Sequence, residues 1–318
     1  MNRAVHLGLL LVMGIWGGAF IAVKAVLRPE GAVSGGLDWI ELAWLRYAAA
    51  SACLLALALA LDPRGVGRLL RESFGRTLLT GSLGVAGYNL ALNYGETQVP
   101  ATMAVLLIPV NPVLVLLLAA AFLGEPLGRA KWAGSALAIA GLAAVVLAAP
   151  QGMRGWGSHP AGGVAACLGA ALAWALYVLF SKSLYRVAGP LAVTAATTAL
   201  GTLPVLPFVM SQSGLDLGDW HAAAWAHLVS GGPGPLGWLA YLVFGSTVLA
   251  FLLYQAGIKH LPAGTVALYI YLMPVFGLIW GYGVLGERVT AAQLGGAIVL
   301  LAGVALASGL FGKKESPS

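Results

Sequence analysis

The chain has 318 residues, of which 60% are hydrophobic and 9% charged, with a net charge of +6; its mean hydropathy is +0.90. A soluble domain carries about 25% charged residues, so this chain lacks the polar surface that water would demand, and its solvent over most of its length is lipid. The positive charge therefore bears on which side of a membrane Lys and Arg face, not on a nucleic-acid partner.

A spanning helix needs about 20 apolar residues, and ten such segments are expected. The first, Leu7–Leu27, follows Arg3 and His6. It is long enough to span and no clean small-residue cleavage site follows a short apolar core, so it reads as a retained helix, not a signal peptide. It carries Trp16, Phe20 and Lys24 at four-residue spacing, on one helix face. Lys24 is about 4–5 Å from the end of its helix. It can snorkel to the outer headgroups or attract a substrate carboxylate or phosphate. The second segment, Leu42–Leu61, places Arg46 near its outer end, with the same two readings.

The third segment, Thr77–Gly95, bears Tyr88, Asn89 and Asn93. The two asparagines are one turn apart, and a polar stripe must face a neighbour or a cavity. The fourth, Val99–Leu123, has Asn111 near its centre between Pro109 and Pro112. Each proline removes a backbone donor and frees a carbonyl, which lipid tolerates only beside protein or a wet cavity. Asn111 can bond a substrate or bind two helices together. The fifth segment is Lys131–Ala149 and the sixth Gly162–Ser181, with Trp174 and Tyr177. A buried aromatic of this kind is either core or one wall of a binding site.

The seventh segment is Pro190–Met210, followed by Ser211–Pro235, which is expected to be irregular or interfacial because of its Gly-Pro run. The eighth, Leu236–Gly257, offers Ser246, Thr247, Tyr254 and Gln255; the ninth, Pro262–Leu285, offers Tyr269, Tyr271 and the midpoint Pro274; the tenth is Ala292–Phe311. Tyr254 and Gln255 are near an inner end and also suit interfacial anchoring. Gly81, Gly84 and Gly87, and Gly277 with Gly281, suit close helix contact. Cys53 and Cys167 lie in apolar runs with no metal or disulfide spacing, the five histidines form no HExxH motif, and no cofactor or metal site is expected. No Asp or Glu falls near a segment midpoint, so a buried proton-carrying carboxylate of the usual kind is not evident.

With the amino terminus inside, twelve of the 17 Lys and Arg residues fall on the inner side and three, Arg28, Arg154 and Arg288, on the outer. That bias orients the chain with both termini cytoplasmic. The halves also repeat. At a constant offset of 162, Pro100-Ala101 matches Pro262-Ala263, Pro112-Val113 matches Pro274-Val275, Leu123-Gly124-Glu125 matches Leu285-Gly286-Glu287, and Gly134 and Gly141 match Gly296 and Gly303. Five is odd, so two five-helix units in tandem enter the bilayer from opposite sides. The expected fold is an all-α membrane protein of ten transmembrane helices arranged as two inverted five-helix repeats, residues 1–149 and 150–318. Inverted repeats let one fold open to either side of a midplane site, which points to a secondary transporter.

Trp16-Gly17, Pro112, Gly124-Glu125 and their counterparts Pro274 and Gly286-Glu287 resemble the drug/metabolite transporter superfamily, and within it the EamA-type ten-helix exporters, over about residues 7–310. The resemblance implies a central cavity lined by helices 1, 3, 4, 6, 8 and 9, with 5 and 10 behind. It also implies export of amino acids, other metabolites or toxic compounds. Substrate-binding candidates are Trp16, Phe20, Lys24, Tyr88, Asn89, Asn93, Asn111, Trp174, Tyr177, Ser246, Thr247 and Tyr269, with Pro109, Pro112 and Pro274 as helix breaks for gating. No catalytic constellation at one depth suggests a membrane-embedded enzyme. An aromatic or similarly amphipathic amino acid fits the Trp, Tyr and Asn set; multidrug and nucleotide-sugar transport are the alternatives. The expected partners are the substrate and the plasma-membrane bilayer (the inner one in a two-membrane bacterium), with the protein a monomer or homodimer.

Overall fold

A computed structural model describes residues 2–27, 36–111, 113–114, 117–118, 121, 128–148, 156–213, 217–254, 269, 272–286 and 288–307. The repeated Gly124-Glu125 turn, Glu287, Pro112, Gln255 and Tyr271 lie outside them. The described chain is helical almost throughout: α1 (Asn2–Val26), α2 (Trp39–Leu61), α3 (Pro63–Glu72), α4 (Phe74–Gly81), α5 (Tyr88–Gln98), α6 (Ala101–Leu107), α7 (Arg129–Leu147), α8 (Pro160–Leu184), α9 (Pro190–Thr202), α10 (Leu206–Ser213), α11 (Leu217–Ser230), α12 (Pro233–Ala240), α13 (Met273–Trp280) and α14 (Ala291–Ala307). Among the described residues five helical runs are long and apolar enough to cross a membrane: Val5–Val26, Trp39–Leu61, Pro160–Ser181, Pro190–Ser211 and Pro233–Tyr254. Shorter apolar helices accompany them at Ala101–Val110, Trp132–Val145, Met273–Leu285 and Ala291–Gly303. Large apolar side chains point outward on many helices, among them Leu59, Leu79, Ile139, Phe244, Ile279 and Ile298. In water they would be costly; in lipid they are the ordinary surface. This is a multi-pass, all-helical membrane protein.

Local chemistry fixes the helix ends. Asp38 and Glu41 form a capping box at the start of α2: Asp38 Oδ1 accepts from Ile40 N at 2.7 Å, and Glu41 Oε2 accepts from Asp38 N at 2.7 Å. Asp62 caps α3 through Gly65 N at 2.9 Å, with Pro63 in the first turn. The connection between the second and third expected segments thus holds a helix, for which the Asp62-Pro63 pair is a start signal. Pro160, Pro190 and Pro233 likewise open α8, α9 and α12. The stretch expected to be irregular after the seventh segment holds α11, whose buried Ala224 and Leu228 pack with Leu27, Leu37, Leu45 and Leu239.

Three spans are interrupted by wider turns. Ser82–Gly87 joins α4 to α5 as a π-helix, Tyr241–Leu249 continues α12 as another, and Gly281–Leu285 continues α13 as a third. At the 162-residue offset, Ser82–Gly87 falls on residues 244–249, inside the second of these. The two halves therefore share a backbone irregularity as well as sequence. Such turns expose carbonyls that the α-helical ladder would have satisfied.

Glycines set the helix crossings. Cβ atoms at Gly141 and Gly303 would collide with the backbones of Leu300 and Ala138, and one at Gly296 would lie 2.8 Å from Val145 N. Rising numbers on α7 thus meet falling numbers on α14, so this matched pair runs antiparallel. Gly95 packs on Cys167 and Gly84 on Tyr177, which makes α5 and α8 antiparallel as well. Gly17 is the site where α1 touches α13: a Cβ would be 2.9 Å from both Gly277 N and Met273 O. Gly81 and Gly201 bring the backbones of α4 and α9 together in the same way.

The crossing of α7 and α14 yields a test. Gly303→Leu should lower the thermal midpoint of the purified protein by several degrees, since overpacking costs about 1–3 kcal/mol. Gly295→Leu, on the open face where nothing lies within 4 Å, should not. Equal midpoints would contradict the crossing.

Candidate functional site

Six aromatic side chains from both halves form a continuous string in the interior. The ring centroid of Trp16 on α1 lies 5.0 Å from that of Tyr254 and 5.8 Å from that of Phe251. Phe251 is 6.5 Å from Trp174 on α8, and Trp174 is 5.2 Å from Tyr88 on α5 and 5.0 Å from Tyr177. Their interplanar angles run from 36° to 66°, the tilted and edge-on geometries that aromatic quadrupoles favour. All six are only half-buried, although the helices around them are packed. Rings in this state offer π faces and apolar surface to a guest.

The π-helices anchor this string. Trp16 Nε1 donates to Ser246 O at 3.0 Å, inside the Tyr241–Leu249 turn. Tyr241 Oη donates back to Ile15 O at 2.7 Å. Asn89 Nδ2 donates to Val85 O at 3.0 Å and Gly84 O at 3.3 Å, and its Oδ1 accepts from Tyr47 Oη at 2.9 Å. The side chain of Asn89 thus satisfies carbonyls of the Ser82–Gly87 turn and holds the neighbouring Tyr88 in register. Asn93 Nδ2 donates to Trp39 O at 3.1 Å, and its buried Oδ1 has no hydrogen-bond partner among the described residues.

The expected site residues thus divide. Trp16, Tyr88, Trp174 and Tyr177 come together on the string. Ser246 and Thr247 gather instead around a residue outside the expected set, Arg46. Its Nε donates to Thr247 Oγ1 at 3.2 Å and its Nη2 to Ser246 Oγ at 3.3 Å, and its guanidinium carbon lies 5.1 Å from the centroid of the Tyr47 ring. Arg46 is only 7% exposed, so it does not snorkel. The capping box starts α2 at Trp39, three residues before the expected start, so Arg46 lies in the third turn of the helix and not in its first. Lys24 does not reach out either: its Nζ donates to Glu96 O at 2.5 Å and Val99 O at 3.1 Å, the carbonyls left over where α5 ends. Glu96 itself is fully buried.

Other candidates lie elsewhere. Phe20 is packed in the core with Met13, Ile21 and Leu106. The Tyr269 hydroxyl bonds His6 at 2.5 Å, ten residues before Trp16, and so ties the start of α1 to the second half. Asn111 is buried, with Oδ1 unpartnered among the described residues; it follows the 3-10 turn Ile108–Val110 that contains Pro109. Pro274 sits in the first turn of α13, directly after the turn at Leu272. Phe251 was missed; its signal is the four-residue step from Thr247 on the same helix.

A helical membrane bundle with apolar outward faces and an aromatic interior shared by both halves is the frame of a membrane transporter, the class to which its family match assigns it. The EamA-like transporter family profile matches residues 3–147 and again 161–309. The chain belongs to the EamA-like transporter family, within the drug/metabolite transporter superfamily. It is 30% identical to a probable terminal-alkyne amino-acid exporter of Streptantibioticus cattleyicolor, over 96% of this chain and 93% of that one. It is 28% identical to a probable amino-acid metabolite efflux pump of Salmonella typhimurium, over 96% and 94% of the two chains. An uncharacterized transporter of Archaeoglobus fulgidus is also 28% identical, over 93% and 95%. One solved crystal structure superposes with a TM-score of 0.62 at 21% identity over 99% of both chains, a likeness of fold.

The Asn89 geometry is testable in isolation. Asn89→Leu removes the side-chain donor shared by the Gly84 and Val85 carbonyls and the acceptor of the Tyr47 hydroxyl, so stability should fall by about 1–3 kcal/mol, read as a lower thermal midpoint in detergent. An unchanged midpoint would mean that the Ser82–Gly87 turn does not depend on this side chain.

Proposed function

We propose that the protein is a secondary carrier that exports a small amphipathic metabolite, with an aromatic or similar amino acid as the best fit, by alternating access. The observation that carries this reading is the aromatic string, because its members come from both halves. Trp16 and Tyr88 belong to the first matched stretch; Trp174, Tyr177, Phe251 and Tyr254 belong to the second. A guest held between them would feel any rocking of one half against the other, which is what a carrier cycle requires.

The mechanism follows from a duplicated, inverted architecture: ten spans, as five-helix repeats over residues 1–149 and 150–318. The antiparallel course of α7 and α14, equivalent helices of the two halves, supports it. So does the recurrence of the π-helix at the same register. The charge bias of the loops supports cytoplasmic termini in a plasma membrane. In this scheme Pro109, Pro112 and Pro274 mark where the fourth and ninth spans bend between states. The contact of His6 with Tyr269 closes the inner end of the cleft. Asn93 and Asn111 are polar atoms held in reserve for the substrate or for another state of the cycle. The names of the two amino-acid exporters favour amino acids over drugs or nucleotide sugars as cargo.

Counterflow in proteoliposomes is the direct test. Vesicles loaded with unlabelled L-phenylalanine should accumulate labelled L-phenylalanine, and empty vesicles should not. Trp174→Ala removes the centre of the string, with an aromatic contact worth about 0.5–1.5 kcal/mol on each side. It should reduce exchange by roughly tenfold while the protein stays monodisperse. No exchange of any amino acid by the wild type would reject the reading. Tags at both termini should resist protease added outside intact cells; digestion of either would reject the orientation.

A further inference from the structure

The Arg46 guanidinium is a charge taken out of solvent without an opposing charge among the described residues. It sits seven residues into α2, roughly 10 Å from the helix start. Its two hydrogen-bond partners are hydroxyls, and its third neighbour is a tyrosine ring. Among the described residues no carboxylate lies within ion-pair distance of it. A cation at membrane depth is expensive and is retained where it serves a pathway. The donor geometry says what it awaits. A guanidinium carries five N–H groups; Nε and one Nη2 hydrogen are used, on one edge of the fork. Thr247 spends its own proton on Leu242 O at 2.8 Å, so its oxygen faces Arg46 purely as an acceptor and fixes that edge. The opposite edge, Nη1 with the second Nη2 hydrogen, remains: two parallel donors with the spacing of a carboxylate.

The position relative to the aromatic string is equally specific. Ser246 supports Arg46 through its hydroxyl and receives Trp16 Nε1 on its carbonyl. One residue thus links the cation to the first ring of the string. We propose that Arg46 is the anchor for the carboxylate of the transported solute, whose apolar body lies along the rings. The class of ligand is a monocarboxylate with an aromatic or bulky apolar body. This rests on the transport reading for its meaning but can be tested apart from it. Because Arg46 comes from the first half and Ser246 and Thr247 from the second, the anchored anion would sit on the seam that opens.

The test compares four probes on the wild type, Arg46→Gln and Arg46→Lys: L-phenylalanine, 3-phenylpropionate, L-phenylalaninamide and 2-phenylethylamine. Binding is read by tryptophan fluorescence in detergent, and counterflow by labelled probe in proteoliposomes. The wild type should bind the two carboxylates and bind the amide and amine at least tenfold more weakly. Arg46→Gln should lose about 10- to 100-fold in carboxylate affinity, Arg46→Lys less, and neither should change affinity for the amide. Thermal midpoints separate this from a structural role. Removing a buried unpaired charge should leave the midpoint of Arg46→Gln level or higher, whereas a bridge needed for folding would lower it. Equal binding of amide and acid, carboxylate binding unaffected in Arg46→Gln, or no carboxylate binding by the wild type would each overturn the assignment. Exchange of phenylalaninamide by a wild type that binds no carboxylate would leave transport standing and remove the anchor. Arg46-dependent carboxylate binding without exchange would do the reverse.

Discussion

Backbone carbonyls freed in a medium without water must find donors inside the protein, and most of the polar architecture answers that constraint. Continuous α-helices satisfy themselves. Among the described residues this chain departs from them at Ser82–Gly87, Ile108–Val110, Leu203–Val205, Tyr241–Leu249 and Gly281–Leu285. Donors converge on the departures and on helix ends: Asn89 on Gly84 and Val85, Trp16 on Ser246, Thr247 on Leu242, and Lys24 on Glu96 and Val99. Each donor is a polar group that could otherwise not be kept in lipid. The irregular turns and the polar side chains therefore require each other, and the aromatic string is set by that mutual requirement.

Glycine is the second element of the design. Without a hydrophobic force to drive helices together in lipid, association relies on close packing. Gly17 against Gly277 and Met273, Gly81 against Gly201, and the facing glycines of α7 and α14 allow contact at backbone distance. The tight seams thus lie between α7 and α14, between α4 and α9, and between α1 and α13. The interior between α1, α5, α8 and the end of the eighth span is filled by large rings that are only half-buried. The bundle thus pairs glycine seams, where backbones touch, with an interior of large rings.

The seam between the halves carries the polar links. Arg46 reaches Ser246 and Thr247, Trp16 reaches Ser246, His6 reaches Tyr269, and Tyr241 reaches Ile15. These are bonds of one to three atoms, each easily exchanged for another, where the glycine seams are extended. Glu41 with His227 at 3.2 Å adds a further link, from the start of α2 to α11.

The sequence by itself determined the solvent, the all-helical membrane class and the repeat pattern. Lipid imposes a length and composition on each helix, and tandem copies keep their spacing, so these properties are local and additive. It also singled out Trp16, Tyr88, Trp174 and Tyr177, because large aromatics at mid-depth are few. Tertiary structure alone decided which of the candidates meet. Asn89 and Asn93 form one stripe in sequence, yet one serves a π-helix and the other the α2 backbone. Lys24 and Arg46 share the same two readings from position alone. One became a helix cap and the other a buried cation, because a capping box at Asp38 set where α2 begins and because α12 continues past it with two hydroxyls in reach. Depth along a helix follows from counting residues; the neighbour across the gap depends on how separate helices rotate and cross, and that is settled only when the whole bundle packs.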